Sequence, residues 1–266
     1  MNRVEEKFRV LRKHNRKAFI VYIMAGDPDL KTTYDLVLEL EKKGVDIVEL
    51  GIPFSDPVAD GPVIQKAGLR ALKNGINLSN VFDLVSKLRK KTEIPVVLMS
   101  YFNIIFQRGI ERFVGEARRN GVDGVIIPDL IPEEAGDLLR IAREKDFSTI
   151  FLASPTSTPQ RLRKIVKASS GFVYYVSLTG VTGMRKVLPP RLKEAVLNIK
   201  AITSKPVCVG FGVSTPQQVK SVLEFSDGVV VGSAIVKVIE KNLKNPSLVK
   251  KVGNFVNFLR ARENNK

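Results

Sequence analysis

Asp46-Ile-Val-Glu-Leu-Gly-Ile-Pro-Phe-Ser-Asp-Pro-Val-Ala-Asp-Gly-Pro-Val-Ile-Gln65 decides how the chain is read. It opens as an apolar, β-branched run, the pattern of a buried strand. Glu49 interrupts that run. Alternation along a strand puts Ile47, Glu49 and Gly51 on one face and Val48 and Leu50 on the other. A carboxylate at such a position is costly to bury unless it is paired or put to use. The strand then passes into a stiff loop, in which Pro53, Pro57 and Pro62 fix φ and Gly61 relaxes it. Asp56 and Asp60 sit in that loop. One carboxylate is therefore anchored on a strand, and a second is held on a loop shortly afterwards. Two carboxyls in different surroundings can take opposite proton-transfer roles at one substrate. On these residues alone the alternative is a buried Glu paired with a Lys or Arg, and an Asp that caps the next helix.

Similar apolar runs lie on both sides of this stretch. Runs centred near Ile20, Ile47, Val97, Val125, Ile150, Val173, Val207 and Val229 recur about every 30 residues, the size of a parallel strand–helix unit. Between them, helical patterning covers residues 32–43, 62–73, 79–91, 110–120, 132–145, 158–168 and 191–203, and another helix starts at Ser214-Thr-Pro216. Pro132 suits a first helical turn. Val4, Phe8 and Leu11 recur at helical spacing ahead of the first strand, and two more helices, about 233–243 and 246–262, close the chain. Eight units in 266 residues predict an α/β fold, a single-domain (β/α)8 TIM barrel over residues 1–266. It would carry an extra N-terminal helix and additional helices after the second and eighth strands. The competing open, doubly wound sheet usually has Gly-x-Gly-x-x-Gly after its first strand, and Ala25-Gly-Asp-Pro28 is not that turn.

Composition narrows the chemistry. His14 is the only histidine and Cys208 the only cysteine. That excludes His-cluster and multi-cysteine metal sites and any internal disulfide. Acid–base work falls to Asp, Glu, Tyr or Lys. No apolar run reaches the roughly 18 residues of a membrane span, and the charged first 16 residues do not read as a secretory signal, so a cytoplasmic protein is expected. Lys and Arg number 43 against 27 Asp and Glu, a formal charge of +16. Such a charge would serve nucleic-acid binding, attraction of a phosphorylated substrate, or a heat-adapted surface. The cations are spread over many helices, and clusters such as Lys241 to Lys251 contain no aromatic residue for base stacking, so no nucleic-acid partner is expected.

In a barrel the active site lies where the strands end and the following loops begin. Glu49 and Asp60 belong there. So do Tyr174 in the sixth strand, the loop Ser177-Leu-Thr-Gly-Val-Thr-Gly183, Gly210-Phe-Gly-Val213 after the seventh strand, and Gly232-Ser233 after the eighth. Glycines let backbone N–H groups approach an anion, and helix N-termini attract one. Three such loops after consecutive strands suggest a phosphate cradle, and the Ser177–Gly183 loop reads as a lid or an ordinary surface loop.

Through Ala25-Gly-Asp-Pro28, Glu49-Leu-Gly-Ile-Pro-Phe-Ser-Asp-Pro-Val-Ala-Asp-Gly-Pro62, Leu98-Met99, Pro128-Asp129, Gly180-Val-Thr-Gly183, Gly210-Phe-Gly212 and Val231-Gly-Ser233, the sequence resembles the tryptophan synthase alpha chain family over essentially its whole length. The resemblance implies a (β/α)8 barrel that cleaves indole-3-glycerol phosphate to indole and glyceraldehyde 3-phosphate. It implies a pyridoxal-phosphate-dependent beta chain as partner in an αββα heterotetramer, with no cofactor on this chain. By resemblance Glu49 is the acid/base at indole C3, Asp60 holds the indole N–H, and Tyr174 is the active-site tyrosine. Gly183, Phe211, Gly212, Gly232 and Ser233 fall on the phosphate site, Tyr22, Met99 and Ile126 on the indole pocket, and Thr182 on the lid. Ile104 stands where many members have Pro. The competing readings are another phosphate-binding barrel isomerase or epimerase, and a basic barrel that binds without catalysis.

Overall fold

The computed structural model describes residues 2–176, 191–210 and 212–261. The first half runs α1 (Arg3–Lys13), β1 (Ala18–Met24), α2 (Leu30–Lys42), β2 (Ile47–Gly51), α3 (Pro62–Lys73), α4 (Leu78–Leu88), β3 (Val96–Met99), α5 (Phe102–Arg108), α6 (Ile110–Arg119) and β4 (Gly124–Ile126). The second half runs α7 (Gly136–Glu144), β5 (Ser148–Ile150), β6 (Leu152–Ala153), α8 (Pro159–Ala168), β7 (Val173–Val176), α9 (Leu192–Lys200), β8 (Val207–Gly210), α10 (Pro216–Leu223), β9 (Gly228–Val231), α11 (Ser233–Glu240) and α12 (Leu248–Arg260).

β5 and β6 are two halves of one strand with Phe151 between them, so β7, β8 and β9 are the sixth, seventh and eighth strands of the sequence reading. All pairings are parallel. The order is β5-β4-β3-β2-β1-β9-β8-β7-β6. Its two ends are the two halves of that one strand, which brings the sheet round into a barrel. Helices between parallel strands cover its outside, as parallel sheets require.

Strand alternation sorts the side chains as expected. Ile20, Ile47, Val97, Ile126, Ile150 and Val230 gather inside the barrel. Val48, Leu50, Leu98 and Val209 face the helices in the larger core. α1 closes the end where the strands start. Its Val4, Phe8 and Leu11 join the inner cluster beside Ala18 and Phe172, with the Phe8 and Phe172 rings 5.7 Å apart. Burying each such side chain is worth about 1.5–3 kcal/mol. Asn2 caps α1 by accepting from the Val4 and Glu5 amides. It also donates to the Asp123 carbonyl at 3.0 Å and to Ser148 Oγ at 2.6 Å, just before β4 and at the start of β5.

The additional helices after the second and eighth strands are present as α3 and α11. They pack on each other and on β1, while α4 and α12 pack on α2 in the outer layer. Two expectations need correction. A further helix, α5, follows β3, and Ile104 lies inside it. Its cap comes from a distant residue: the Phe102 amide donates to the Asp129 carboxylate at 2.9 Å. The helix expected from Pro132 begins at Gly136, because residues 132–134 form a turn ahead of it. Among the described residues no helix is long and apolar enough to cross a membrane.

Candidate active site

Glu49 is the middle residue of β2, in register with Tyr22 on β1 and Val97 on β3. It shares the interior face with Ile47 and is 1% exposed. Among the described residues its Oε2 is the one buried side-chain oxygen or nitrogen with no hydrogen-bond partner. Burial, and then the negative charge of Asp60, push its carboxyl up to about 8. Among the described residues no Arg or Lys is paired with Glu49, as the salt-bridged core reading would require; such a cation would move the carboxyl the other way.

Asp60 sits in the β2–α3 loop and does not cap α3. The cap position is Gly61, which makes no side-chain cap bond. The loop is fixed by its own backbone and by its neighbours. The Asp60 amide donates to the Pro57 carbonyl at 3.0 Å, and Gln65 Nε2 donates to the Asp60 carbonyl at 2.9 Å. The Ala59 amide donates to the Tyr101 hydroxyl oxygen at 3.1 Å, and Phe54 stacks on the Tyr101 ring with centroids 5.2 Å apart. Burial raises the Asp60 carboxyl to about 6, against a hydrogen bond with Tyr101 that lowers it.

Two tyrosines stand near the carboxylates. Burial raises the Tyr22 hydroxyl, and Asp60 and Glu49 add to the rise. Tyr174, on β7, is raised by burial and by Glu49. Each tyrosine has a glycine close beside it. A β-carbon on Gly210 would stand 2.5 Å from the Tyr174 hydroxyl, and one on Gly232 would stand 3.3 Å from Tyr22 Cβ. Met99 and Ile126 are register partners on β3 and β4 and pack with the interior cluster. Glu49, Asp60, Tyr22 and Tyr174 are thus brought together, with Met99 and Ile126 lining the same interior.

The glycine turns lie at the same mouth. Gly232, against Tyr22, is the N-cap of α11 and brings no side-chain cap, and Ser233 opens the helix. The first amides of α11 are therefore free of a side-chain cap and suited to an anion. Gly212 has φ 80°, a conformation that favours glycine. Gly183, Phe211 and the lid residue Thr182 lie outside the described residues. Among the described residues no group of three His, Cys, Asp or Glu side chains could hold a metal ion.

Sequence reasoning missed three residues. Tyr101, bonded to Asp60, follows two residues after the end of β3, and its place at the mouth was the available signal. Asp27 follows β1 and is 1% exposed. Arg70 grips it from α3, with Nε 2.7 Å and Nη2 2.8 Å from its two carboxylate oxygens. No local pattern links residues so far apart in the chain.

At neutral pH a carboxyl that titrates near 8 holds a proton to give, and one that titrates near 6 is ionised and can accept or face positive charge. The barrel mouth therefore offers an acid and an anion near each other.

The family model for the tryptophan synthase alpha chain matches residues 8–262. A tryptophan synthase alpha chain from Geotalea daltonii is 47% identical over 261 residues, covering 98% of each chain. The crystal structure of tryptophan synthase subunit alpha from Legionella pneumophila superimposes with a TM-score of 0.93 at 39% identity, covering 100% of both chains. A chain from the tryptophan synthase a2b2 complex of Pyrococcus furiosus gives 0.86 at 40% identity, over 92% of this chain and 98% of that one.

Proposed function

This chain belongs to the tryptophan synthase alpha chain family; it is a carbon–carbon lyase that cleaves indole-3-glycerol phosphate, and we propose that Glu49 and Asp60 carry the cleavage. The protonated Glu49 gives its proton to C3 of the indole. The ring nitrogen becomes positive, and Asp60, accepting the indole N–H, stabilises that charge. The carboxylate left on Glu49 takes the proton of the side-chain hydroxyl next to C3. The bond between C3 and that carbon breaks, its electron pair returns to the ring, and indole and glyceraldehyde 3-phosphate form. Glu49 ends protonated again.

Tyr22, Met99, Ile126 and Tyr174 would wall the indole. Gly212, Gly232 and Ser233 would hold the phosphate through backbone amides, with Gly183 and Phe211, and Thr182 would close the lid. This chemistry asks for no cofactor on this chain, and pyridoxal phosphate is assigned to the beta chain. The observation that carries the reading is the buried, unpartnered Oε2 of Glu49, on a carboxyl raised by burial and then by Asp60.

We further propose an αββα heterotetramer with the tryptophan synthase beta chain, docked at the barrel mouth. The complex named for the Pyrococcus furiosus relative supports this. So do large apolar side chains exposed at that end: Val58 at 81% on the β2–α3 loop, Phe106 at 69% on α5 and Ile131 at 40% on the β4–α7 loop. A cytoplasmic location is part of the same proposal. The test is indole release from indole-3-glycerol phosphate by the purified chain, with and without a beta chain. Release that is fast with the beta chain and abolished by Glu49→Gln is expected; unchanged turnover in Glu49→Gln removes Glu49 from the mechanism.

A further inference from the structure

Arg70 makes more contacts than a core ion pair requires. Its fork closes on Asp27 at 2.7 and 2.8 Å, and its Nη1 lies 3.6 Å from Glu240 Oε1. These three residues belong to three elements: the loop after β1, α3, and the last turn of α11. At the end of α3, Asn74 Nδ2 also donates to the Pro28 carbonyl in the same β1 loop. The two helices it joins have something in common. Asp60 stands just before Gly61, the N-cap of α3, and Gln65 on α3 holds its carbonyl. Gly232 and Ser233 begin α11. One helix thus presents the carboxylate for the indole end of the substrate, and the other presents the amides for its phosphate end. α3 and α11 pack directly on each other, and Arg70 is the ionic tie between them.

We propose that Arg70 is a positioning residue that sets α3 against α11, and so fixes the span between Asp60 and the phosphate-holding amides to suit one substrate. The inference rests on the reading of Asp60 and of the α11 N-terminus given above. A substrate held at both ends transmits any error in that span to the reacting carbon. Binding energy from the remote phosphate then no longer serves to align C3 with Glu49. The loss falls on kcat, because each end still finds its own anchor. Lys cannot replace the fork, since a single ammonium does not hold Asp27 bidentately and reach Glu240 as well.

The test compares Arg70→Lys and Arg70→Ala with the wild-type chain, in complex with the beta chain, on indole-3-glycerol phosphate and on indole glycerol without the phosphate. On the phosphorylated substrate kcat should fall by roughly 10²-fold while KM moves by no more than a few-fold. The slow turnover of the phosphate-free substrate, held at one end only, should stay at the wild-type value. Free guanidinium should restore part of the kcat of Arg70→Ala. Glu240→Gln, which keeps the Asp27 fork, should show a smaller loss in the same sense. Equal losses on both substrates, a change confined to KM, or no rescue by guanidinium in a folded variant would overturn the proposal and leave Arg70 a structural ion pair. A wild-type complex that releases no indole from the phosphorylated substrate would instead overturn the functional reading itself.

Discussion

Tyr22 lies against Gly51: a β-carbon on that glycine would stand 2.2 Å from the phenol oxygen and 2.7 Å from the ring carbon that bears it. Because Gly51 follows Glu49 by two residues on the same face of β2, the ring occupies space that any side chain there would take. Gly51→Ala should displace Tyr22 from beside Glu49. Overpacking of this kind costs about 1–3 kcal/mol, so the variant should fold with a lowered Tm and lose most of its turnover. An alanine variant with wild-type kcat/KM would show that the position of Tyr22 does not matter.

The two perturbed carboxyls set a pH window. Asp60 must be ionised and Glu49 protonated, so activity should rise as pH passes about 6 and fall as it passes about 8. The profile of kcat/KM should be a bell between those values. The groups coupled to the pair are Tyr22, Tyr101 and Tyr174, all raised and therefore neutral across it. A profile flat from pH 5 to pH 9, on the order of a unit beyond each limb, would rule out the assignment of both roles.

Tyr101→Phe should move one side of that bell only. The phenol hydrogen bond lowers Asp60, so its loss raises Asp60 further and shifts the acid limb to higher pH. The alkaline limb, which belongs to Glu49, should stay in place. Measuring kcat/KM against pH in both proteins decides the matter, and a shifted alkaline limb would contradict it.

Glu49 should also cost stability at high pH. Its carboxyl titrates near 4.5 when unperturbed and near 8 in the fold. Between those values the folded chain keeps a proton that the unfolded chain has released, so stability falls as pH rises. Glu49→Gln carries no such burden. Its advantage over the wild-type chain should be absent below the unfolded value and grow to a few kcal/mol by about pH 8. Denaturant unfolding at several pH values reads this directly, and a gap that does not widen with pH would contradict the burial argument.

The exposed rim predicts an interface. Phe106, 69% exposed on α5, lies outside the proposed chemistry. Phe106→Ser should leave indole release by the isolated chain unchanged and weaken binding to a beta chain by about tenfold or more, as loss of an aromatic anchor does. Titration calorimetry with the purified beta chain would expose the error if affinity held.

Much of this architecture was legible because period-two alternation is a local signal. Ile47, Glu49 and Gly51 fall on one face whatever surrounds them, and that placed the carboxylate inside the barrel. α5 was not legible, because its N-terminal partner is Asp129, supplied from the loop after β4. Its end gave no clearer mark, since Gly109 closes α5 and opens α6 at once. The break at Phe151 has no sequence mark either, as it falls inside the apolar run Ile150 to Ala153. Asp27 and Arg70 are 43 residues apart, and only the folded chain shows that they meet. Local rules reach strands, caps and turns; ties between elements lie beyond them.

Val4, Phe8 and Leu11 leave the barrel with a floor. Indole set free beside Glu49 cannot drain downwards through the strand starts. Under the proposed reading it leaves upwards, past the rim that carries Val58 and Phe106. Direction is thereby imposed on the product by the first helix of the chain, and a second enzyme seated on that rim would collect it without a conduit through the barrel wall.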